Sequence, residues 1–592
     1  MVQRRDLPGI LLAALLLVYV ALATWYSLVI PLGEAPDEVD HYRVTRYLVQ
    51  HRRLPYSEEE HEAVQPPLYY LTGAALTFWV RDHVPFAPLA NADFDPSDPL
   101  ASQNLLLHPA SEAWPFRGWA LAWHLARLVS VGLGVVTVWA ICRFGRELFP
   151  EQPEIGLGMA ALTAFTPQFL FMTAVFSNDN AATAMSALVL WQIVALLRHN
   201  ALRFWRLTLL GLLLGLGLLS KSNLIALVPI VALAILIVWW KHPSRRIGRL
   251  FSAWLLTFGL AGVLSGWYYV RNLVVFGDPL GFSFVLATNP LREGPLTSDV
   301  LIWLFRGLSR SLWLGWIGIE LDEWLYRIIH ALFLAGLLGF IAWLALRWRQ
   351  VAAYVRWAIV LLGLYVGITL ASLIRWTAIV GGTDQGRLIY PLLPAVMLIL
   401  VAGLLVWTPR GVRPWGASSL AAAWLVLALV TPGHYLAPVY GPPATAALLP
   451  REATPLDARF GESIRLLGYR LESSQVRPGE KMTLDLYWQS DVSLEADTWA
   501  LVKLVDADGT FLMYKDGSPS AGRDTTDRWA PGTIVASQHR IAIPDYSQPG
   551  VYWISLSMHP SGEQVWLPLS NSSGVPKGET LTLDVPVEIV MP

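Results

Sequence analysis

The segment Glu34-Ala-Pro-Asp-Glu-Val-Asp-His-Tyr-Arg43 places four carboxylates and a histidine directly after the first long apolar run. Charge is expensive where a helix leaves lipid unless it faces water, a partner or a substrate. The cluster therefore suggests acid–base or ion chemistry on something carried by the membrane. Adjacent residues on a helix point about 100° apart, so Asp37 and Glu38 should not share one role. One would act as a base while the other holds a metal, an arginine or a helix end. Pro36 favours a helix start immediately after it. Asp37, Asp40 and His41 would then lie at i, i+3 and i+4 on a single face. Capping by first-turn acids is the competing reading of the same residues.

Other residues with chemical potential follow along the chain. Gln65-Pro-Pro-Leu-Tyr-Tyr70 precedes a short apolar stretch, Leu71 to Val80. The double proline stiffens its start, so the stretch reads as an embedded half-helix. Arg127 lies inside the outer half of an apolar run and needs a carboxylate or a phosphate as partner. Asp179 occupies a very short turn, Ser177-Asn-Asp-Asn180, where a plain turn residue is the alternative. Lys221, Arg271 and Arg387 are bases on the side of the bilayer that positive charge usually avoids. Together they could neutralise a phosphate or pyrophosphate; each could also pair with a neighbouring acid. No glycine-rich nucleotide loop or Walker-type sequence is present, which disfavours an ATP-driven pump.

The elements that must position these groups are membrane helices. The chain of 592 residues is 54% hydrophobic and 15% charged, against about 25% charged in soluble proteins. A net charge of −1 gives no basic excess for nucleic acid. The single cysteine, Cys142, excludes an intrachain disulfide and a cysteine zinc site, which fits a prokaryotic cell envelope. Leu7 to Ile30 is too long for a signal-peptide core and reads as a retained helix. Ten further runs of spanning length lie near 119–142, 155–176, 180–197, 205–220, 223–240, 250–270, 326–346, 354–374, 387–407 and 415–434, about eleven crossings in all. With Arg4-Arg5 in the cytoplasm, every inside loop is basic, and nearly all acids and amides fall outside. Residues 31–118 become a first extracytoplasmic loop. Thr297 to Ile319, with Arg306 and Arg310 interrupting an apolar helical pattern, reads as a helix in the outer interface.

After about Pro450 the pattern changes. Met482, Leu484, Leu486 and Trp488 alternate with Thr483, Asp485 and Tyr487, and Tyr552, Ile554, Leu556 and Met558 repeat the alternation. Pro-Gly and Asp-Gly turns punctuate the stretch. Residues 436–454 read as a linker, and 455–592 as an extracytoplasmic β-sandwich able to bind or position a glycan. Trp488, Trp499 and Trp529 are expected mostly in its core. Asp524-Thr-Thr-Asp527 reads as a turn rather than a calcium site.

The ordered set Asp37-Glu38, Gln65-Pro-Pro-Leu-Tyr-Tyr70, Arg127 within Ala-Arg-Leu-Val-Ser, Asp179, Gly217-Leu-Leu-Ser-Lys221 and Gly386-Arg387 before Tyr390-Pro391 resembles that of the membrane-embedded GT-C glycosyltransferases. The similarity is to their protein O-mannosyltransferase and aminoarabinose-transferase branch and covers roughly residues 8–435. It implies an α-helical polytopic membrane domain followed by a soluble domain, here all-β. It further implies inverting transfer of a sugar from a polyprenyl-phosphate donor to a glycan, lipid or protein acceptor outside the plasma (inner) membrane. Asp37 would be the general base, Glu38 its support, and Asp179 a second carboxylate for the acceptor or a metal. His41, Tyr69, Arg127, Lys221, Arg271 and Arg387 would contact substrate or phosphate. A divalent cation (Mg, Mn or Ca) could sit among Asp37, Glu38, His41 and Asp179. The chain departs from its relatives at Gln65, often Lys, and at Val64, often an acid. His41 is typical of only some relatives.

Two other classes compete. A transporter or flippase of lipid-linked sugars would use the same bases without a catalytic carboxylate, but no inverted repeat or matched pair of broken helices is apparent. A non-catalytic envelope scaffold would be insensitive to replacement of Asp37.

Overall fold

The computed structural model describes residues 7–56, 59–81, 86–98, 101–289, 291–563 and 565–590. Arg4 and Arg5, on which the orientation partly rests, lie outside the described residues. The chain is a multi-pass α-helical membrane protein with a C-terminal all-β sandwich. Among the described residues, nine helices are long and apolar enough to cross a bilayer. Two further apolar segments complete the eleven runs read from the sequence. One is the pair Pro153–Phe165 and Pro167–Thr173, bent by 64°. Pro167 has no N–H and its ring disfavours helical backbone at the preceding residue; Thr166 is accordingly extended. The other is the short helix Phe204–Leu218.

In lipid the apolar tails are no worse a neighbour than another helix, so packing depends on close approach at small residues. Phe204–Leu218 meets Ile247–Phe276 in this way: a Cβ at Gly211 would lie 2.6 Å from the Thr257 carbonyl oxygen. The stretch read as a half-helix over Leu71 to Val80 forms the short helix Leu68–Thr77. Its ten residues reach about 15 Å, half a bilayer core. The Leu68 N–H donates to the Leu219 carbonyl at 3.0 Å, which ties the double-proline loop to the turn carrying Lys221.

The chain divides into two compact units. One comprises Met1–Ile30, Ala35–Arg81 and Leu121–Tyr435; the other comprises Pro31–Glu34, Asp82–Ala120 and Leu436–Pro592. Among the described residues the second unit contains the two sheets of the sandwich and a two-stranded pair, Leu89–Ala90 with Leu106–Leu107. The five-stranded sheet runs Phe511–Gly517, Thr498–Val505, Gly550–Pro560, Leu581–Ile589, Gln475–Val476. The seven-stranded sheet runs Pro576–Gly578, Leu569–Ser570, Thr454–Phe460, Ile464–Leu471, Lys481–Ser490, Ile534–Ala542, Ala444–Ala446. Leu484, Leu486, Trp488, Ile554, Leu556, Met558 and Trp529 share one core between them. Trp499 is half-buried, its indole N–H on Asp497.

The opposite face of the Lys481–Ser490 strand is also covered. Residues 86–120 belong to this unit, and Asp98 accepts from Lys481 at 3.1 Å and from Arg540 at 3.0 Å. Asn91 donates to Asn104, Ser102 and Gly522. Salt bridges and amide hydrogen bonds tie this stretch to the sandwich.

Glu34, the first acid of the cluster, serves this second unit. It accepts the Leu105 and Leu106 N–H groups at 2.7 and 2.9 Å and lies 2.9 Å from His108 Nε2. Glu112 lies 2.8 Å from His108 Nδ1. Burial would push this imidazole down, but the two carboxylates outweigh it and hold its pKa at about 10. Proton affinity rises on folding, so His108 contributes fully below about 6.5, the value for an unfolded histidine. The contribution is lost as pH climbs through the folded value. Thermal unfolding of the full chain in detergent should show a midpoint that falls between pH 6.5 and 10, and His108→Gln should flatten that slope. An unchanged slope in the variant would remove His108 as its source.

Candidate active site

Asp37 adopts φ 58°, ψ 8° and immediately precedes the helix Glu38–His51 without capping it through its side chain. Left-handed backbone at a non-glycine residue costs about 1–2 kcal/mol and recurs at functional sites. The helix thus starts one residue later than Pro36 alone suggests, and the carboxylate is turned away from the helix end. It meets Arg387: Nη2 to Asp37 Oδ2 is 2.7 Å. The other guanidinium nitrogen, Nη1, donates to Asp179 Oδ2 at 3.0 Å, and Asp179 Oδ1 receives Lys221 Nζ at 2.6 Å. Lys221 also donates to Asn178 Oδ1 at 3.1 Å. Residues 37, 387, 179 and 221 therefore form one chain of alternating anions and cations, in that order.

The chain of ion pairs is unevenly exposed. The side chains of Asp179 and Arg387 retain 4% and 8% of their surface, and Asp37 retains 47%. Asp37 is the anion that a second molecule can reach. Surrounding protein alone would raise its pKa, but the Arg387 guanidinium more than offsets this and holds the carboxyl below its ordinary range.

Local structure explains the convergence. Asp179 opens the helix Asp179–His199, and its N–H donates to Ser177 Oγ. Lys221 sits in extended backbone between Phe204–Leu218 and the 3-10 turn Ser222–Ala226. Arg387 lies in the 3-10 segment Gly386–Leu392. A Cβ at Gly386 would lie 2.3 Å from the Leu312 nitrogen, and the Gly386 N–H donates to Ser311 Oγ at 2.7 Å. Only glycine allows this approach.

Four candidates are directed elsewhere. Glu38 is fully buried and receives Arg127 Nε and Nη2, each at 2.7 Å. It also receives Trp123 Nε1 at 3.1 Å and the Phe176 N–H at 2.8 Å. Arg127 Nη1 donates to the Ser27 and Ile30 carbonyls. The two form a fully buried ion pair at the residue next to Asp37. Tyr69 bonds Ser130 at 2.7 Å and packs on Phe176. Arg271 donates to the Pro55 carbonyl and to Asn272, beside the rings of Tyr268 and Phe276. Asp40 leaves the expected shared face for Arg43.

The donor set does not fit the suggested divalent cation. Among the described residues no three His, Cys, Asp or Glu side chains are placed to hold a metal. Glu38 is taken by Arg127, and Asp37 and Asp179 share Arg387.

Further neighbours, of which Asn178 and Glu62 were not singled out in the sequence, adjoin the cluster. Tyr70, not Tyr69, reaches His41, at 2.9 Å. Asn178 bonds Tyr70 and Gln65, each at 3.3 Å. Glu62 is held near pH 7 by burial and by the negative charge of Asp37. The only available signal was proximity in sequence to Gln65-Pro-Pro and to Asp179.

Residues 122–269 match the family model described as dolichyl-phosphate-mannose-protein mannosyltransferase. Over this segment the chain resembles the membrane glycosyltransferases. The segment includes Arg127, Asp179 and Lys221, three of the residues singled out in the sequence. No curated protein gives a match. Among solved structures, the apo form of ArnT from Cupriavidus metallidurans is similar at 16% identity and a TM-score of 0.38. That match covers 75% of this chain and 66% of ArnT, just under two thirds of its length. The same protein bound to undecaprenyl phosphate is similar at 14% identity and TM-score 0.38, over 72% of this chain and 73% of that one. Such scores describe only a loose likeness.

Proposed function

We propose that the protein transfers a sugar from a polyprenyl-phosphate donor to a hydroxyl-bearing glycan, lipid or protein acceptor, with inversion at the anomeric carbon. Asp37 is the general base. The observation that carries this reading is the half-open Asp37 carboxylate bonded to Arg387 and linked through Asp179 to Lys221. One of its oxygens bonds Arg387, which leaves the other to accept a proton from an acceptor hydroxyl. Arg387 and Lys221 offset the charge that develops on the departing lipid phosphate. No nucleotide is needed, because the leaving group is already an anion. The basic loops support a cytoplasmic N-terminus, with the sandwich outside.

Asp179 touches both cations and orients them. Asp179→Asn should therefore lower kcat/KM by about 10–100-fold, the scale of one charge-assisted hydrogen bond. Its effect should fall on donor use rather than on the proton step. The test is loss of donor from a panel of polyprenyl-phosphate sugars supplied to purified protein in liposomes. If no donor is consumed by folded wild type while lipid-linked sugars cross the bilayer, transport replaces transfer.

A further inference from the structure

His41 is 2% exposed, and its Nε2 is buried without a hydrogen-bond partner. Buried polar atoms are seldom left in that state unless a water or ligand completes them. The proton on the ring can be assigned from the surrounding bonds. Lys221 donates to Asn178 Oδ1, which fixes the amide so that Nδ2 faces Tyr70 and Gln65. Nδ2 can only donate, so the Tyr70 oxygen accepts from it. The Tyr70 proton is then directed to His41 Nδ1, 2.9 Å away. That leaves Nδ1 as acceptor and the proton on Nε2. Burial pushes the imidazole pKa down to about 4, so the ring is a neutral donor and not a cation.

The charged neighbour with the largest influence on His41 is Asp37, ahead of Lys221, Asp179 and Arg387. The backbone N–H of His41 donates to the backbone carbonyl of Asp37 at 3.0 Å, one helical turn back, and the bonds from Lys221 through Asn178 and Tyr70 tie the ring to the charged cluster. A neutral N–H donor one helical turn from an exposed carboxylate suits a hydroxyl, which can accept from one group and donate to the other. A phosphate oxygen in the same place would face the carboxylate charge.

We propose that the His41 Nε2–H grips a hydroxyl of the transferred sugar, with Asn178 and Tyr70 acting through it as positioning residues. The inference rests on the transferase reading and adds a sugar-recognition group to it. It is tested with full-length wild type, His41→Phe, His41→Gln and Tyr70→Phe in detergent, using whichever donor of the panel wild type consumes. Binding of bare polyprenyl phosphate, which has no sugar, is measured alongside.

His41→Phe should lower kcat/KM by about 10–100-fold, the scale of a buried hydrogen bond removed from one side. It should leave bare polyprenyl phosphate binding within about twofold, below the effect of a lost hydrogen bond. Gln keeps an N–H near the Nε2 position and should recover part of the loss. Tyr70→Phe releases the tautomer and should lower kcat/KM without altering bare-lipid binding. This variant also serves if His41→Phe does not fold. Wild-type kcat/KM in His41→Phe, or an equal loss of bare-lipid binding, overturns the sugar contact while leaving the transferase reading intact. If wild type consumes no donor, both fall together.

Discussion

Asp37→Asn should slow sugar transfer by about 10²–10⁴-fold, the contribution typical of a positioned general base. The amide keeps the size of the carboxyl group and can still accept from Arg387 through its oxygen, so the fold and the thermal midpoint should change little. What it loses is the second, open oxygen that takes the proton. Single-turnover rates separate this from donor binding: the chemical step should fall while the affinity for polyprenyl phosphate stays within a few-fold, a smaller change than loss of a phosphate cation would give. The pH profile gives an independent check. Arg387 keeps the Asp37 carboxyl below its ordinary range, so Asp37 stays ionised, and active as a base, down past about pH 4. An acidic limb near neutrality would belong to another group, and Glu62, held at about 7, is the carboxyl in this pocket that titrates there. A variant with wild-type turnover would remove the base from Asp37 and favour the scaffold or transport readings.

The membrane helices were legible because bilayer thickness sets one length and one composition for every span. Each apolar run therefore corresponds to a helix, including the bent pair whose break is written as Thr166-Pro167. The sandwich core was legible for a similar reason: Leu484, Leu486 and Trp488 alternate with polar residues at the period of a strand. Convergence was not. Asp37 and Arg387 are 350 positions apart, and nothing local says that one guanidinium joins Asp37 to Asp179. Nor could the sequence decide between Asp37 and Glu38. The 100° between neighbours shows that they diverge, but which one faces inward depends on the helix beginning at Glu38 with Asp37 in left-handed backbone. The same one-residue ambiguity separates Tyr69, which bonds Ser130, from Tyr70, which bonds His41. Residues 86–120 escaped assignment to the sandwich unit because salt bridges such as Asp98–Arg540 leave no hydrophobic period to read.

The Glu38–Arg127 pair lies at the residue next to Asp37, and breaking it should strongly destabilise the membrane unit. Both side chains are fully buried, with a 2.7 Å contact between them. Removing one partner of such a pair typically costs about 3–5 kcal/mol, because a charge is left buried without compensation. Against a total stability of about 5–15 kcal/mol, that is a third or more. Arg127→Met leaves the buried Glu38 carboxylate without its guanidinium partner, and it also takes away the donor to the Ser27 and Ile30 carbonyls. Glu38→Gln should be milder, since its amide oxygen can still accept, although the side chain no longer offers two acceptor oxygens. The double variant Glu38→Gln/Arg127→Met should be less destabilised than the sum of the two singles, because neither charge is then stranded. Thermal unfolding in detergent reads all three. Activity should fall with stability in each, unlike in Asp37→Asn, where activity falls alone. If Arg127→Met instead keeps its thermal midpoint and loses affinity for polyprenyl phosphate, the arginine is a phosphate ligand and the stabilising role assigned to this pair is wrong.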